Sequence, residues 1–210
     1  MLATGICDTG AANEIVTAVN LSTTRAAALD AHAVSAQKQI SVHLGTGILA
    51  AGTPMAAFAD NAASQPGVTL VNSKAMGIRW NNNGTQVAVF YQIDMPQDID
   101  DTAPLVLHAL VSKSGATLGD AVKLTVAGFF QTVAALHDAD TDVGGDSNAL
   151  TGDATAKTVT ELTYTISAAD LPASPSSLTF SIKPKDGTLG TDDCIVSSLW
   201  FEYTGKLLTS

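Results

Sequence analysis

The stretch of this chain best suited to gathering a cation is His137-Asp138-Ala139-Asp140-Thr141-Asp142-Val143-Gly144-Gly145-Asp146, where carboxylates recur at every second position. Oxygen ligands spaced in this way can converge on a hard ion such as calcium, as they do in an EF-hand loop. The match to that loop is partial. Val143 stands where the sharp-turn glycine is needed, and no Glu stands before Leu150 to close the site as a bidentate ligand. The stretch therefore reads as a solvated acidic loop in which Asp138, Asp140, Asp142 and Asp146 are weak calcium candidates. No large stabilisation by calcium is expected.

A second acidic turn, Asp94, Asp98, Asp100 and Asp101 around Met95-Pro96-Gln97, reads as turn chemistry, because Asp accepts hydrogen bonds from nearby backbone amides. A glycosidase would need a pair of carboxylates, yet the only glutamates are Glu14, Glu161 and Glu202. The last two sit in strand-like runs opposite the apolar face, where exposure or pairing is expected. Asp192-Asp193 follows Gly190-Thr191 and ends a turn. His32, His43, His108 and His137 show no HxxxH or HExxH spacing; His108 shares a face with Val106 and Leu110, a setting for hydrogen-bonded packing. No GxSxG elbow, P-loop or GxGxxG occurs, so no catalytic residue and no cofactor is assigned. Trp80, Trp200, Tyr91, Tyr203, Phe129 and Phe130 are the rings that could stack on a sugar, with Trp80 beside Asn81-Asn82-Asn83 the best candidate for exposure.

Composition narrows the partners. The 210 residues carry a net charge of −10, and only 14% are charged. A groove that follows nucleic-acid phosphates needs clustered Lys and Arg, and an anionic membrane surface repels such a chain. A surface this poor in charge suits extracellular proteins and subunits of large assemblies. The hydrophobic fraction of 46% is enough for a core, although much of it is alanine. Cys7 and Cys194 form no metal or disulfide framework. Two buried, reduced thiols are expected, with a Cys7–Cys194 bridge as the other reading. The opening MLATGICDTGAANE lacks the basic start and apolar stretch of a signal peptide, so synthesis without a classical export signal is expected.

Two textures divide the chain. Residues 1–67 are rich in Ala, and Ile15, Val19, Ser22, Ala26, Leu29, Ala33, Ala36 and Ile40 fall on helical three- and four-residue steps. Thr17, Thr23 and Thr24 favour extended structure instead, so helix and strand both stay open for this arm. Gly45, Gly47, Gly52, Pro54, Pro66 and Gly67 then lead into residues 68–210. Here apolar residues alternate with period two. Met76, Ile78 and Trp80 do so, as do Val87, Val89, Tyr91 and Ile93, and then Leu105, Leu107, Ala109 and Val111. Val122, Leu124 and Val126 follow, then Leu162, Tyr164 and Ile166, and Leu178, Phe180 and Ile182. The last run puts Ile195, Leu199, Phe201 and Tyr203 on one side, with Val196 and Trp200 opposite. With the segment from Val68 to Val71, about eight such strands separated by turns predict an all-β protein: an antiparallel β-sandwich of the jelly-roll type, or else an immunoglobulin-like one. Residues 131–156 read as a surface excursion, too polar for the core.

Several segments, taken in order, resemble a pattern found in structural proteins of tailed bacteriophages. They are Arg79-Trp80-Asn81-Asn82, Met95-Pro96-Gln97-Asp98-Ile99-Asp100, Leu107-His108-Ala109-Leu110 with Ser112-Lys113-Ser114-Gly115-Ala116, Gly152-Asp153-Ala154-Thr155-Ala156-Lys157, Lys183-Pro184-Lys185-Asp186-Gly187, and Thr191-Asp192-Asp193 leading to Trp200-Phe201-Glu202-Tyr203-Thr204. The region from Arg79 to Thr204 is similar to jelly-roll proteins that decorate or cement phage heads, often as trimers between capsid hexamers. The resemblance implies a virion protein on the capsid exterior, a homotrimer with the major capsid protein as partner, and no catalytic residues. On this reading the arm, residues 1–67, attaches the sandwich to its neighbours. The alternative is a receptor- or carbohydrate-binding jelly roll on a fibre or tail.

Overall fold

The computed structural model describes residues 36–206, apart from 60–64, 72, 83–84, 116–120, 134–140, 151–156, 174 and 176. Its regular structure is almost entirely strand. The strands are β1 (Ala36–Val42), β2 (Ile48–Leu49), β3 (Gly67–Val71), β4 (Ala75–Trp80), β5 (Val89–Asp94), β6 (Leu105–Lys113), β7 (Leu124–Gln131), β8 (Thr141–Asp146), β9 (Thr160–Ile166), β10 (Ser177–Pro184) and β11 (Cys194–Gly205). Two short 3-10 turns, Leu44–Thr46 and Ala168–Asp170, complete the described structure. Among the described residues, no helix is long and apolar enough to cross a membrane.

The pairing explains the architecture. Antiparallel partners are β4 with β11, β5 with β10, β6 with β9, and β7 with β8. These are the pairs of one long ribbon, folded between β7 and β8. Rolling that ribbon sets β11 against β6 and β10 against β7, which divides it into two sheets. One sheet runs β3-β4-β11-β6-β9 with β1 also on β11, and the other runs β2-β5-β10-β7-β8. That order is a jelly roll, so the immunoglobulin-like alternative falls away.

Period-two alternation accounts for the core. Ile78 and Trp80, Leu105 and Leu107, Leu178 and Ile182, and Leu199 and Phe201 meet between the sheets, all buried. Phe180 is central: it stacks on Tyr91 at 5.4 Å and meets Phe201 edge-on at 4.9 Å. The Tyr91 phenol is desolvated there, which raises its pKa.

The structure corrects four expectations. The sandwich starts at Ala36 rather than Val68, because β1 pairs along the second half of β11 and β2 pairs with β5. The apolar residues Ile40 and Val42 suit a strand as well as a helix, and β11 supplies the partner edge. Residues 1–35, with the rest of the helical spacing and Cys7, lie outside the described residues. Secondly, the supposed excursion at 131–156 contains β8, an edge strand that Val143 anchors in the core while its glycines and aspartates mask the pattern. Thirdly, Ile195 does not share a face with Leu199: a register shift between Val196 and Ser198 reverses the alternation, so that Cys194 and Val196 face the core before it and Leu199 after it. Lastly, Trp80 is fully buried, its Nε1 donating to the Val87 carbonyl at 2.8 Å.

Candidate functional site

A strand in a sandwich gives alternate residues to the core and to the outside, so each sheet has an outer face with cross-strand rows set by register. On the five-stranded sheet one row reads Ile48, Phe90, Ser181, Ala127, Gly144. The next reads Gln92, Thr179, Phe129. Two aromatic rings therefore stand on the outer face, Phe90 on β5 and Phe129 on β7, flanking the hydroxyls of Thr179 and Ser181 on β10. Two strands laterally and two residues along separate them, about 12 Å between Cα atoms.

Between the rings the sheet is low. Ala127 and Gly144 put almost no side chain above the backbone, and a shallow cavity of about 350 Å³ opens over Phe90, Phe129, Ala127, Gly144, Thr179 and Ser181. Gly128 on the reverse face cannot be enlarged, since a Cβ there would lie 2.9 Å from the Thr179 carbonyl oxygen. The groove thus offers ring faces, the Thr179 hydroxyl and backbone, with Ser181 buried at its floor and donating to the Ala127 carbonyl at 3.5 Å, and with no ionisable group in its lining.

Charges gather at its margin instead. Lys183 pairs with Asp186 at 2.9 Å, and Lys185 pairs with Asp146, which also accepts from Thr125 Oγ1 at 3.0 Å. The Lys185 ammonium holds the Asp146 carboxyl below the usual carboxylate range, with Thr125 and Lys123 adding to the effect. The Gln86 backbone N–H, and then Lys183, lower that of Asp186.

The outer face of the six-stranded sheet carries a different cluster. His108 and Trp200 are direct cross-strand partners and stack at 5.0 Å, 7° from parallel. Glu161, on β9, meets His108 Nδ1 at 2.5 Å. This is the hydrogen-bonded packing expected for His108, and the pairing expected for Glu161.

The remaining sequence candidates are placed as follows. Asp138 and Asp140 lie outside the described residues. Asp142 is on β8, and Asp146 is committed to Lys185 and Thr125 as above. Among the described residues no group of three His, Cys, Asp or Glu side chains could hold a metal. Asp100 turns the chain as expected, accepting from Thr102 N at 3.0 Å. Asp98 binds Lys38 on β1, which lowers the Asp98 pKa and raises that of Lys38. Asp193 does more than end a turn: it pairs with Arg79 at 2.5 Å. Of the proposed sugar-stacking rings, Trp80, Tyr91, Tyr203 and Phe130 are buried in the core, and only Phe129 reaches the groove. Phe90 was missed. Its signal was an aromatic residue on the polar side of the run Val89, Tyr91, Ile93.

No family model matches this chain, and no curated protein does. Several solved structures are similar. A xylan-binding module, CBM15, aligns with 82% of this chain and 100% of its own at 18% identity and a TM-score of 0.49. Xylanase10C from Cellvibrio japonicus, in complex with xylopentaose, aligns at 17% identity and a TM-score of 0.44 over 78% of this chain and 28% of that one, so the chain spans little more than a quarter of it. The family 30 carbohydrate-binding module of the cellulosomal cellulase Cel9D-Cel44B of Clostridium thermocellum aligns at 12% identity and a TM-score of 0.42, covering 78% and 96%.

Proposed function

We propose that this chain is a non-catalytic, carbohydrate-binding jelly roll of a bacteriophage virion, at the position of a fibre or tail protein. The groove of the five-stranded sheet carries this reading. Phenylalanine faces stack against the C–H faces of sugar rings, and the Thr179 hydroxyl between them fixes orientation, the mix of mostly apolar lining and few polar groups that ligand sites use. The virion setting comes from the resemblance of the Arg79–Thr204 region. The test is a glycan array followed by calorimetry on the hits with Phe90→Ala and Phe129→Ala. Binding that ignores both substitutions, or an array without hits, removes the assignment.

A second reading, capsid decoration, is favoured by a specific feature. Leu70 and Met76 are cross-strand partners on the β3–β4 hairpin, yet they are 62% and 55% exposed. Apolar area at a sheet margin, on a weakly charged surface, suits a contact with the major capsid protein or within a homotrimer on the capsid exterior. Residues 1–35 would add attachment area. The protein's copy number in purified particles decides between the readings: parity with the capsid subunits favours a shell role, and parity with fibres or tail favours the first.

A further inference from the structure

We propose that the ligand of the Phe90–Phe129 groove is an uncharged oligosaccharide chain engaged over several sugar units, an inference that rests on the carbohydrate reading and narrows it. Three observations carry it. The lining residues are apolar or hydroxyl-bearing, and none carries a positive charge to neutralise a carboxylate, sulfate or phosphate on a sugar. Two nearby cations are already committed, Lys183 to Asp186 and Lys185 to Asp146. Drawing either of them onto an anionic ligand would leave a partner carboxylate unneutralised in a protein of net charge −10.

Length follows from spacing. With Cα atoms about 12 Å apart, the two rings cannot both be covered by one sugar. A chain long enough to reach from Phe90 across Ser181 and Thr179 to Phe129 gains both stacking contacts, and the second is made at high effective concentration once the first has formed.

The experiment compares matched hexamers that differ only in oxidation at C6, namely galactan with galacturonan, mannan with mannuronan, and glucan with glucuronan. Calorimetry on the whole chain at two salt concentrations is expected to show a neutral member binding at least about tenfold tighter than its acidic counterpart. Its affinity should rise from disaccharide to hexamer and stay insensitive to salt. The Lys183→Ala and Lys185→Ala variants should bind it within about twofold of the parent. Acidic members binding as tightly, affinity falling with salt, or a disaccharide matching the hexamer would overturn the inference and leave carbohydrate binding intact. Failure of every hexamer, with the chain folded by circular dichroism, would remove the carbohydrate reading and this inference together.

Discussion

Arg79 on β4 and Asp193 at the mouth of β11 form a two-point contact: the guanidinium Nε donates to Asp193 Oδ2 at 2.7 Å, and its second nitrogen lies 2.5 Å from the same oxygen. The Asp193 side chain is only 13% exposed and also accepts from Asn82 N at 3.1 Å. Phe58 covers the guanidinium, 4.5 Å from its ring centroid. Removing Asp193 takes a charged, hydrogen-bonded partner from a largely desolvated guanidinium and from Asn82 N, so Asp193→Ala should cost about 2–3 kcal/mol in urea unfolding. Lys183→Ala, which breaks a solvent-facing pair, should cost below about 0.5 kcal/mol. Equal costs would show that the seam between β4 and β11 is not braced by this contact.

Phe90 and Phe129 separate binding from stability. Each is half-buried on the outer sheet face, whereas Phe180 is fully buried between the sheets. Phe180→Ala should destabilise by about 3–5 kcal/mol. Phe90→Ala or Phe129→Ala should cost less than half of that and weaken glycan binding about tenfold, roughly the worth of one aromatic stack. Thermal melts and calorimetry on the three variants check both halves.

The acid limb of stability should be shaped by Asp98, Asp146 and Asp186. Each carboxyl titrates below its ordinary value when folded: Asp98 through Lys38, Asp146 through Lys185, and Asp186 through the Gln86 N–H. Between folded and unfolded values the unfolded chain binds more protons, so stability rises with pH in that window. It is fully present above about pH 4–5, the unfolded carboxylate range, and is lost as pH falls through the lowered folded values. Asp98→Asn should flatten part of that limb and leave the slope between pH 6 and 8 unchanged, in both cases within the roughly 0.5 kcal/mol expected of exposed groups. Urea midpoints across pH measure it; an unaltered acid slope in the variant would count against the assignment.

Cys194 should be inert in the folded chain. It is fully buried on the core face of β11, and desolvation, with the Asp193 charge beside it, pushes the thiol pKa up. Peptide-level mass spectrometry after alkylation at pH 8 should find Cys194 unmodified in native buffer and modified in urea. Modification at equal rates would mean that the interior between the sheets opens readily.

Much of the fold was legible because one-sided burial writes period two into a strand. The runs Leu105–Val111 and Leu178–Ile182 alternate cleanly, and they lie on the central strands β6 and β10. Legibility failed where tertiary context overrode local pattern. β8 was hidden because an edge strand needs only one core residue, Val143, among Gly and Asp. The register shift at Ser197 disguised β11, since one extra residue moves every later side chain to the other face. Trp80 looked exposed beside three asparagines, but its indole N–H finds the Val87 carbonyl inside the molecule. The groove was half legible. Phe129 stands out in the sequence as a ring, whereas the depth around it depends on Ala127 and Gly144, and on a register that places Phe90 on the same face.

β11 touches β4 and β1 along one side and β6 along the other. The keystone of the six-stranded sheet is thus synthesised after every strand that it joins. Until those twelve residues, Cys194 to Gly205, leave the ribosome, β1, β4 and β6 have no common neighbour. The nascent chain must wait with the inner face of that sheet unsealed, and a product cut short before Cys194 keeps its β5–β10, β6–β9 and β7–β8 pairs while losing the strand that joins β1 and β4 to β6.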